Sequence, residues 1–180
     1  YFDNYDFSTI SKKILATDNI INPIIEAILY KKELAERLEL ARKQKKSKKL
    51  DIVNHIQATH DDPEQRILFI CEGLSALGPL LSVRRSNKIG GYPLRGKILN
   101  VMGMKPIDIM NNVIVSELVS VIGLEFNKPP KDLNYGKIAI MTDADVDGMC
   151  IRELLYNLFY LWGTTLFDEN RIFVVQTPLF

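Results

Sequence analysis

The strongest constraint on the fold of this chain is a short apolar run that ends in three alternating aspartates. Residues 138–142 read Ile-Ala-Ile-Met-Thr and are followed by Asp143-Ala-Asp145-Val-Asp147-Gly148. An apolar run of this length, bounded by a turn signal, predicts a buried strand. Three carboxylates this close repel one another unless a cation neutralises them. The segment therefore predicts a divalent-metal site at the end of a strand.

The same spacing satisfies the first half of a calcium-binding EF-hand loop, which is a structural alternative. An EF-hand requires a helix before the loop and a bidentate glutamate at loop position twelve. Position twelve is Leu154 here, position nine is Ile151, and the residues before Asp143 are strand-forming. The sequence therefore disfavours an EF-hand.

Apolar residues after Gly148 recur at three- and four-residue steps, which predicts an amphipathic helix of about four turns. They are Ile151, Leu154, Leu155, Leu158 and Trp162. The aspartates would then lie between the carboxyl end of a strand and a helix, where open α/β sheets place their ligand crevices.

A second carboxylate follows another apolar run. Residues 67–71 read Ile-Leu-Phe-Ile-Cys, and Glu72-Gly-Leu-Ser suits a tight turn into a helix. If the two predicted strands are parallel, Glu72 can lie beside Asp143. A single glutamate at a strand end is more often solvated than catalytic, so this pairing depends on the aspartate motif.

A basic segment lies between these two motifs, at residues 84–105. The segment contains no acidic residue, although the net charge of the whole chain is only +1. Its cations are Arg84, Arg85, Lys88, Arg95, Lys97 and Lys105. Clustered cations with flexible glycines, here Gly90 and Gly91, attract a phosphate backbone. A solvated basic loop explains the charge equally well.

The remaining reactive side chains carry no motif. Cys71 and Cys150 are expected to be free buried thiols, since an oxidising disulfide framework would need more cysteines. The two histidines, His55 and His60, are expected at the surface because they lack the spacing of zinc ligands. The tyrosines expected to pack in the interior are Tyr92, Tyr135, Tyr156 and Tyr160.

Together the three motifs resemble the Toprim domain of type IIA DNA topoisomerases, over roughly residues 66–180. The resemblance is carried by Glu72-Gly-Leu-Ser-Ala, by Pro93-Leu-Arg-Gly-Lys-Ile-Leu-Asn-Val, by Thr142-Asp-Ala-Asp-Val-Asp-Gly and by the closing Gln176-Thr-Pro-Leu-Phe. Toprim domains of primases, nucleases and type IA topoisomerases share the acids but not the Pro-Leu-Arg-Gly-Lys run. The chain departs from the family at Leu74, where an aspartate is usual, which suggests a divergent, phage-type enzyme.

The resemblance implies an α/β fold, a Toprim (Rossmann-like) mostly parallel sheet flanked by helices and preceded by a long N-terminal helix. Residues 1–65 would form a helical linker from an upstream ATPase and transducer region. Residues 66–180 would form a Toprim metal-binding domain that is incomplete at its C-terminus. The long helix is also predicted by the sequence itself, at about residues 19–49, with Asp18 or Asn19 as its cap.

The resemblance also implies a set of functional residues. Glu72 and Asp143 would hold one Mg²⁺, Asp143 and Asp145 a second, and Asp147 would be a less direct ligand. Glu72, Asp143 and Asp145 would thus be the catalytic residues, with Mn²⁺ or Ca²⁺ able to substitute for Mg²⁺. The implied DNA contacts are Arg95, Lys97 and Asn100.

The implied function is the metal-binding part of an ATP-dependent type II DNA topoisomerase, supporting transient double-strand DNA cleavage and religation. The nucleophile would be a tyrosine of a partner domain or subunit, and ATP would bind only in the upstream ATPase region, so the isolated segment would be inactive. A dimeric or heterotetrameric holoenzyme is expected in the cytoplasm or nucleoid, or in the host cytoplasm if the protein is phage-encoded. No apolar run approaches the length of about eighteen residues that a membrane span needs.

Other classes of function remain open from the residues alone. A receiver-type signalling domain would use Asp143 as a phosphoacceptor with bound Mg²⁺, but it expects an acidic pair where this chain has Cys71-Glu72. Another Toprim nuclease or primase-like module would share the acids, and a DNA-binding module without catalysis would use only the basic segment. Metal-dependent cleavage in a reconstituted mixture separates the last of these from the first function.

Overall fold

A computed structural model describes residues 18–47, 52–82, 87–126 and 132–175. The chain divides into two compact units, Tyr1–Glu39 and Leu40–Phe180. Helix α1 (Asp18–Ser47) is 30 residues long, which confirms the predicted N-terminal helix over its described part. The boundary predicted between residues 65 and 66 stays a prediction, and the closing motif at residues 176–180 lies outside the described residues.

A four-stranded parallel sheet of order β2-β1-β3-β4 forms the centre of the second unit. Its strands are β1 (Ile67–Cys71), β2 (Ile89–Pro93), β3 (Lys137–Met141) and β4 (Ile172–Val175). The central strands β1 and β3 are nearly continuous apolar runs, as expected when both faces of a parallel sheet are covered. Leu68 and Ile70 of β1 and Ile138 and Ile140 of β3 are accordingly buried. The predicted α/β fold with a parallel sheet is confirmed.

Within the described residues, five further helices accompany the sheet. They are α2 (Leu74–Ser82), α3 (Pro106–Ile109), α4 (Val113–Ile122), α5 (Val146–Trp162) and α6 (Thr165–Asp168), and a single 3-10 turn forms at Pro63–Gln65. The predicted helix after the aspartates is α5, and it buries Ile151, Leu155, Leu158 and Trp162. Among the described residues, no helix is long and apolar enough to cross a membrane.

The apolar face that the sequence shows over residues 106–122 is divided between two helices. Helix α3 ends at Ile109, and α4 begins after Asn112, whose Oδ1 accepts a hydrogen bond from the Val115 amide at 3.1 Å. An asparagine at this position satisfies a backbone amide that the helix leaves unpaired. Gly123 ends α4 with φ of 88°, the left-handed conformation in which a glycine commonly ends a helix.

Strand β2 was not predicted, because its glycines were interpreted as part of a flexible basic loop. A Cβ on Gly90 would lie 2.6 Å from the Tyr135 hydroxyl, and one on Gly91 would lie 2.3 Å from Leu77 Cδ1. The two glycines therefore allow close packing rather than flexibility. Ile56 pairs with Gly91 on the outer side of β2, which gives this edge strand a partner at that point.

Three side-chain predictions can be compared directly with the structure. Both cysteines are free, and Cys71 is buried as predicted, whereas Cys150 is only partly buried. The prediction of a surface histidine is wrong for His55, which is half-buried against Tyr135. The prediction of a packing role is wrong for Tyr160, which is 69% exposed.

Candidate metal centre and nucleic-acid interface

The sheet register brings Glu72 and Asp143 to the same end of the sheet, where the two strands that precede them finish. Cys71, the last residue of β1, pairs with Met141, the last residue of the neighbouring strand β3. The Asp143 amide donates a hydrogen bond to Glu72 Oε2 at 3.2 Å, although the two residues are 71 positions apart. The carboxyl ends of two parallel strands thus place these two acids side by side, as the sequence predicted.

The turn after Glu72 explains the shape of the first motif. Gly73 has φ of 89°, a left-handed conformation that other residues adopt only with strain, and helix α2 begins directly after it. The first residue of that helix is Leu74, which is 60% exposed. At the position where the resemblance implies an aspartate, the chain therefore exposes an apolar side chain two residues after Glu72.

Asp145 is the N-terminal cap of helix α5. Its Oδ1 accepts a hydrogen bond from the Gly148 amide at 2.7 Å, which is an N-terminal cap. The positive end of the helix favours a carboxylate at this position. A carboxylate has two oxygens and about four acceptor sites, so a cap on one oxygen leaves capacity for a cation.

Gly148 allows the helix start to approach the aspartate loop. A Cβ at this position would lie 2.1 Å from the Asp143 carbonyl oxygen and 3.1 Å from its amide nitrogen. Any side chain at position 148 would therefore displace the backbone of Asp143. The glycine that ends the motif is therefore a packing requirement of the site.

The donor chemistry of the acidic edge fits a hard divalent cation. Asp143, Asp145 and Asp147 are exposed and Glu72 is half-buried, so all four offer carboxylate oxygens that Mg²⁺ prefers. Within the described residues, however, no group of three or more His, Cys, Asp or Glu side chains has an arrangement that would hold a metal ion. The fold thus brings Glu72 and Asp143 together, while Asp145 is oriented toward its helix. The metal ligands stay a prediction.

The basic loop after β2 reaches the aspartate motif. The Leu94 amide donates to the Cys71 carbonyl at 2.8 Å, so the chain stays beside β1 beyond the end of the strand. Lys97 then places its Nζ 2.8 Å from Asp147 Oδ1, and both side chains are more than half exposed. The hydrogen bond and the charge of Asp147 raise the pKa of Lys97, and Asp145 adds to this effect. The basic and acidic motifs therefore form one surface.

The other two predicted DNA contacts differ in their surroundings. Arg95 is exposed at the start of the loop. Asn100 is also exposed, and its Oδ1 accepts a hydrogen bond from the Met102 amide at 3.2 Å, which shapes the turn. The predicted contacts thus lie on the surface, with Asn100 serving the loop conformation as well.

Glu117, which no sequence motif indicated, anchors the start of this loop. The Tyr92 hydroxyl, at the end of β2, donates to Glu117 Oε2 of α4 at 2.8 Å. Burial and then this hydrogen bond raise the pKa of Tyr92, while the nearby charge of Arg95 acts in the opposite direction. Glu117 lies among the apolar residues of a helix pattern, so no motif pointed to it.

Comparisons with known proteins give a consistent result. The sequence profile of the Toprim domain matches residues 67–177. The chain is similar to the type 2 topoisomerase B subunit of Aquifex aeolicus, with 32% identity over 98% of this chain and 23% of that protein. It is also similar to the DNA gyrase B subunit of Mycoplasma genitalium, with 43% identity over 68% of this chain and 19% of that protein.

The fold has a solved counterpart. The DNA-binding, cleavage and re-ligation domain of Plasmodium falciparum topoisomerase II superposes with a TM-score of 0.67 and 28% sequence identity, over 72% of this chain and 19% of that chain. The chain spans about a quarter or less of the length of these relatives.

Proposed function

The chain belongs to the Toprim family, and on this premise we propose that it is the metal-binding part of the B subunit of an ATP-dependent type II DNA topoisomerase. The observation that carries the proposal is the meeting of three motifs at the carboxyl ends of the sheet strands. Glu72 contacts the Asp143 backbone from the neighbouring strand, and Lys97 of the basic loop pairs with Asp147. Acids suited to a metal therefore lie beside cations suited to DNA phosphates.

The proposed ligands follow from the positions of the acids. Glu72 and Asp143 would hold one Mg²⁺, and Asp143 and Asp145 would hold a second, with Mn²⁺ or Ca²⁺ as substitutes. Bound metal would stabilise the charge that develops on the scissile phosphate and on the departing ribose oxygen. The half-buried Glu72 is oriented by the Asp143 amide, so its position is set by the backbone of its neighbouring ligand. Asp147 would act less directly, through its contact with Lys97.

The basic loop would position the DNA. Arg95 and Lys97 are exposed cations that can contact phosphates without regard to sequence. Asn100 would contribute a further polar contact from the turn that it shapes. Because Lys97 already touches the third aspartate, a phosphate bound by this loop would lie next to the proposed metal ligands.

The other parts of the reaction would come from partners. We infer that a tyrosine of a breakage-reunion domain or subunit attacks the DNA, and that ATP binds in an upstream ATPase region. Support comes from the relatives, which are B subunits of type II topoisomerases and of which this chain covers only a part. The holoenzyme would be dimeric or heterotetrameric and would act on double-stranded DNA in the cytoplasm or nucleoid.

The proposal is tested with the full-length protein and its tyrosine-bearing partner. Covalent protein–DNA complexes should form with Mg²⁺ and be lost in Asp143→Asn, since that carboxylate is assigned to both ions. Asp168→Asn is the matched control, because Asp168 is an exposed acid on α6. Normal complex formation by Asp143→Asn would overturn the assignment.

A further inference from the structure

One ion pair joins the basic loop to the aspartate motif. Lys97 Nζ lies 2.8 Å from Asp147 Oδ1, although the two residues are far apart in the sequence. The lysine belongs to the loop assigned to DNA phosphates, and the aspartate belongs to the acids assigned to metal. In this structure, each of these two charged groups is therefore paired with the other.

The backbone that carries Asp147 is held by the start of helix α5. Asp147 lies in the first turn of this helix, between the cap residue Asp145 and Gly148, whose amide donates to the cap at 2.7 Å. Gly148 also lies directly against the backbone of Asp143, where a Cβ would not fit. The third aspartate thus has a defined position relative to the other two.

The backbone that carries Lys97 is held on both sides. Leu94 and Ile98 are buried in the core, and the Leu94 amide donates to the Cys71 carbonyl at 2.8 Å. Between them, Gly96 turns the chain with φ of 85°. Because the backbones of both partners are held in this way, the fold itself places the lysine next to the aspartate.

The pair is open to exchange with other ions. The side chains of Lys97 and Asp147 are 52% and 64% exposed, and exposed pairs contribute little to stability. A lysine ammonium is a compact point charge, so a phosphate that binds it at close range must replace the carboxylate as its main partner. A cation that attracts the carboxylate would in turn separate it from the lysine. The contact is therefore weak enough to be switched by ligands.

On the basis of the proposed function, we propose that Asp147 is a positioning residue that competes with DNA phosphate for Lys97 and releases the lysine when a divalent cation binds to the neighbouring acids. Without a cation, the Asp147 carboxylate holds the lysine and weakens its contact with DNA. With a cation at Asp143 and Asp145, the Asp147 carboxylate is attracted to the added charge and the Lys97 ammonium is repelled by it. The lysine is then available to phosphate, so the loop contacts DNA most strongly when the acids are loaded.

The competition is tested by DNA-binding titrations of the full-length protein without its tyrosine-bearing partner. In EDTA at low ionic strength, Asp147→Asn should bind double-stranded DNA about twofold to fivefold more tightly than the wild type, the range of one exposed ion pair. Asp147→Glu keeps the charge and should retain the wild-type affinity. Glu153→Gln is the matched control, because it removes one charge from an exposed position further along α5. An equal gain in Glu153→Gln would overturn the proposal.

A double-mutant cycle shows whether Asp147 acts through Lys97. In a Lys97→Gln background, Asp147→Asn should no longer tighten DNA binding, because the lysine for which the carboxylate competes is absent. An equal gain in both backgrounds would overturn the proposal, since Asp147 would then act only by general repulsion of DNA.

The cation dependence is measured by repeating the titrations in Mg²⁺ at constant ionic strength. Mg²⁺ also screens the phosphates, so its effect on Asp147→Asn gives the baseline. Relative to that baseline, Mg²⁺ should favour DNA binding by the wild type about twofold to fivefold, since it removes the same competitor. Lys97→Gln should show only the baseline effect. An equal Mg²⁺ effect in the wild type and Asp147→Asn would overturn the proposed release.

Failure of this proposal differs from failure of the proposed function. If Lys97→Gln binds DNA as tightly as the wild type in both EDTA and Mg²⁺, the DNA contact itself is wrong, and both proposals are overturned. If Lys97→Gln weakens DNA binding while Asp147→Asn keeps the wild-type affinity in both conditions, the DNA contact stands and only the competition is overturned.

Discussion

Gly148 is the residue on which the geometry of the aspartate loop depends most directly. Replacing it with alanine would place a Cβ 2.1 Å from the Asp143 carbonyl, so the loop or the helix start must move. We expect Gly148→Ala to weaken Mg²⁺ binding about tenfold or more, by analogy with changes that displace metal ligands. We also expect it to lower the free energy of unfolding by about 1 to 3 kcal/mol through overpacking.

The measurements for this prediction are calorimetric titration with Mg²⁺ and denaturant unfolding. Gly78→Ala is the matched control, since Gly78 lies inside α2 and a Cβ there would meet nothing within 4 Å. That variant should be neutral or stabilising by about 0.5 to 1 kcal/mol, because a glycine in a helix interior is less stable than an alanine there. Normal metal binding by Gly148→Ala would show that the loop is not tied to the helix start.

Lys97 is predicted to contact a DNA phosphate as well as Asp147. Lys97→Ala should weaken DNA binding regardless of sequence and reduce the slope of log affinity against log salt by about one unit. Stability should stay nearly unchanged, because the pair with Asp147 is exposed and such pairs contribute little. DNA titrations at several salt concentrations measure the slope.

The control for Lys97 is Lys137, a lysine at the amino end of a central strand. Lys137 is exposed at the start of β3, where its Nζ lies 5.6 Å from the centre of the Phe173 ring. Lys137→Ala should keep the wild-type salt slope. Equal slopes for the wild type and Lys97→Ala would mean that Lys97 is only solvated and paired with Asp147.

His55 is predicted to make stability depend on pH. Burial lowers the pKa of His55 below its usual value of 6.5, so the folded state favours the neutral ring. As pH falls through about 6.5, the unfolded state takes up a proton first, and stability decreases until the lowered folded pKa is passed. Nearby groups are the Tyr135 hydroxyl, which hydrogen-bonds the ring, and the Arg66 cation, which lines one cavity together with His55.

Denaturant unfolding between pH 5 and 8 measures this dependence. In His55→Gln the part of the slope due to this residue should disappear, while His60→Gln should retain it. A steeper loss of stability at low pH in His55→Gln than in the wild type would contradict the sign of the effect.

At the scale of secondary structure, a hydrogen bond from Tyr92 to Glu117 connects the end of β2 to helix α4. Tyr92 is 3% exposed, and its hydroxyl is hydrogen-bonded to Glu117. Tyr92→Phe would leave the partly buried Glu117 carboxylate without this donor, which should cost about 1 to 3 kcal/mol of unfolding free energy. Tyr160→Phe, at a residue that is 69% exposed, should change stability by less than about 0.5 kcal/mol.

Thermal and denaturant unfolding of the two variants measure the difference. Because the basic loop follows Tyr92 directly, Tyr92→Phe should also weaken DNA binding, while Tyr160→Phe should not. Equal stability of both variants would indicate that Glu117 finds another donor or water. The stabilising contact would then lie elsewhere in the loop.

The apolar patterns predicted some elements better than others. Strands β1 and β3 were predicted because each is a short continuous apolar run bounded by a turn signal, and helix α5 because its apolar residues recur at three- and four-residue steps. Strand β2 was missed because Gly90 and Gly91 carry no apolar pattern, and their fit depends on Tyr135 and Leu77 from distant parts of the chain. The break between α3 and α4 is not visible in the apolar pattern, because Asn112 interrupts the helix without interrupting the apolar spacing.

At the scale of the whole protein, we predict that cleavage needs both the proposed metal ligands and a separate tyrosine. The full-length protein without its tyrosine-bearing partner should form no covalent DNA complexes at any Mg²⁺ concentration. Addition of the partner should produce them, since the acids assigned to metal binding supply no nucleophile of the kind proposed. Gel analysis after denaturation detects such complexes.

The cleavage assay and a separate phosphorylation assay distinguish the alternatives. Robust cleavage by the protein alone would favour an independent Toprim nuclease. Phosphorylation of Asp143 by acetyl phosphate would instead favour a receiver-type domain.

The sequence alone determined the family, the parallel α/β fold and the identity of the acidic and basic motifs. These features are local, because each motif is a short run recognised by its residue types and their spacing. The pairing of Glu72 with Asp143 could be anticipated, since carboxyl ends of parallel strands meet at one edge.

Only the tertiary structure decided which side chains meet. Two such contacts are the ion pair of Lys97 with Asp147 and the hydrogen bond of Tyr92 to Glu117, and each joins segments far apart in sequence. Such contacts depend on strand order, on the angle at which helices pack and on the space that each glycine leaves. None of these quantities is encoded in a local pattern, so three-dimensional packing is needed to fix them.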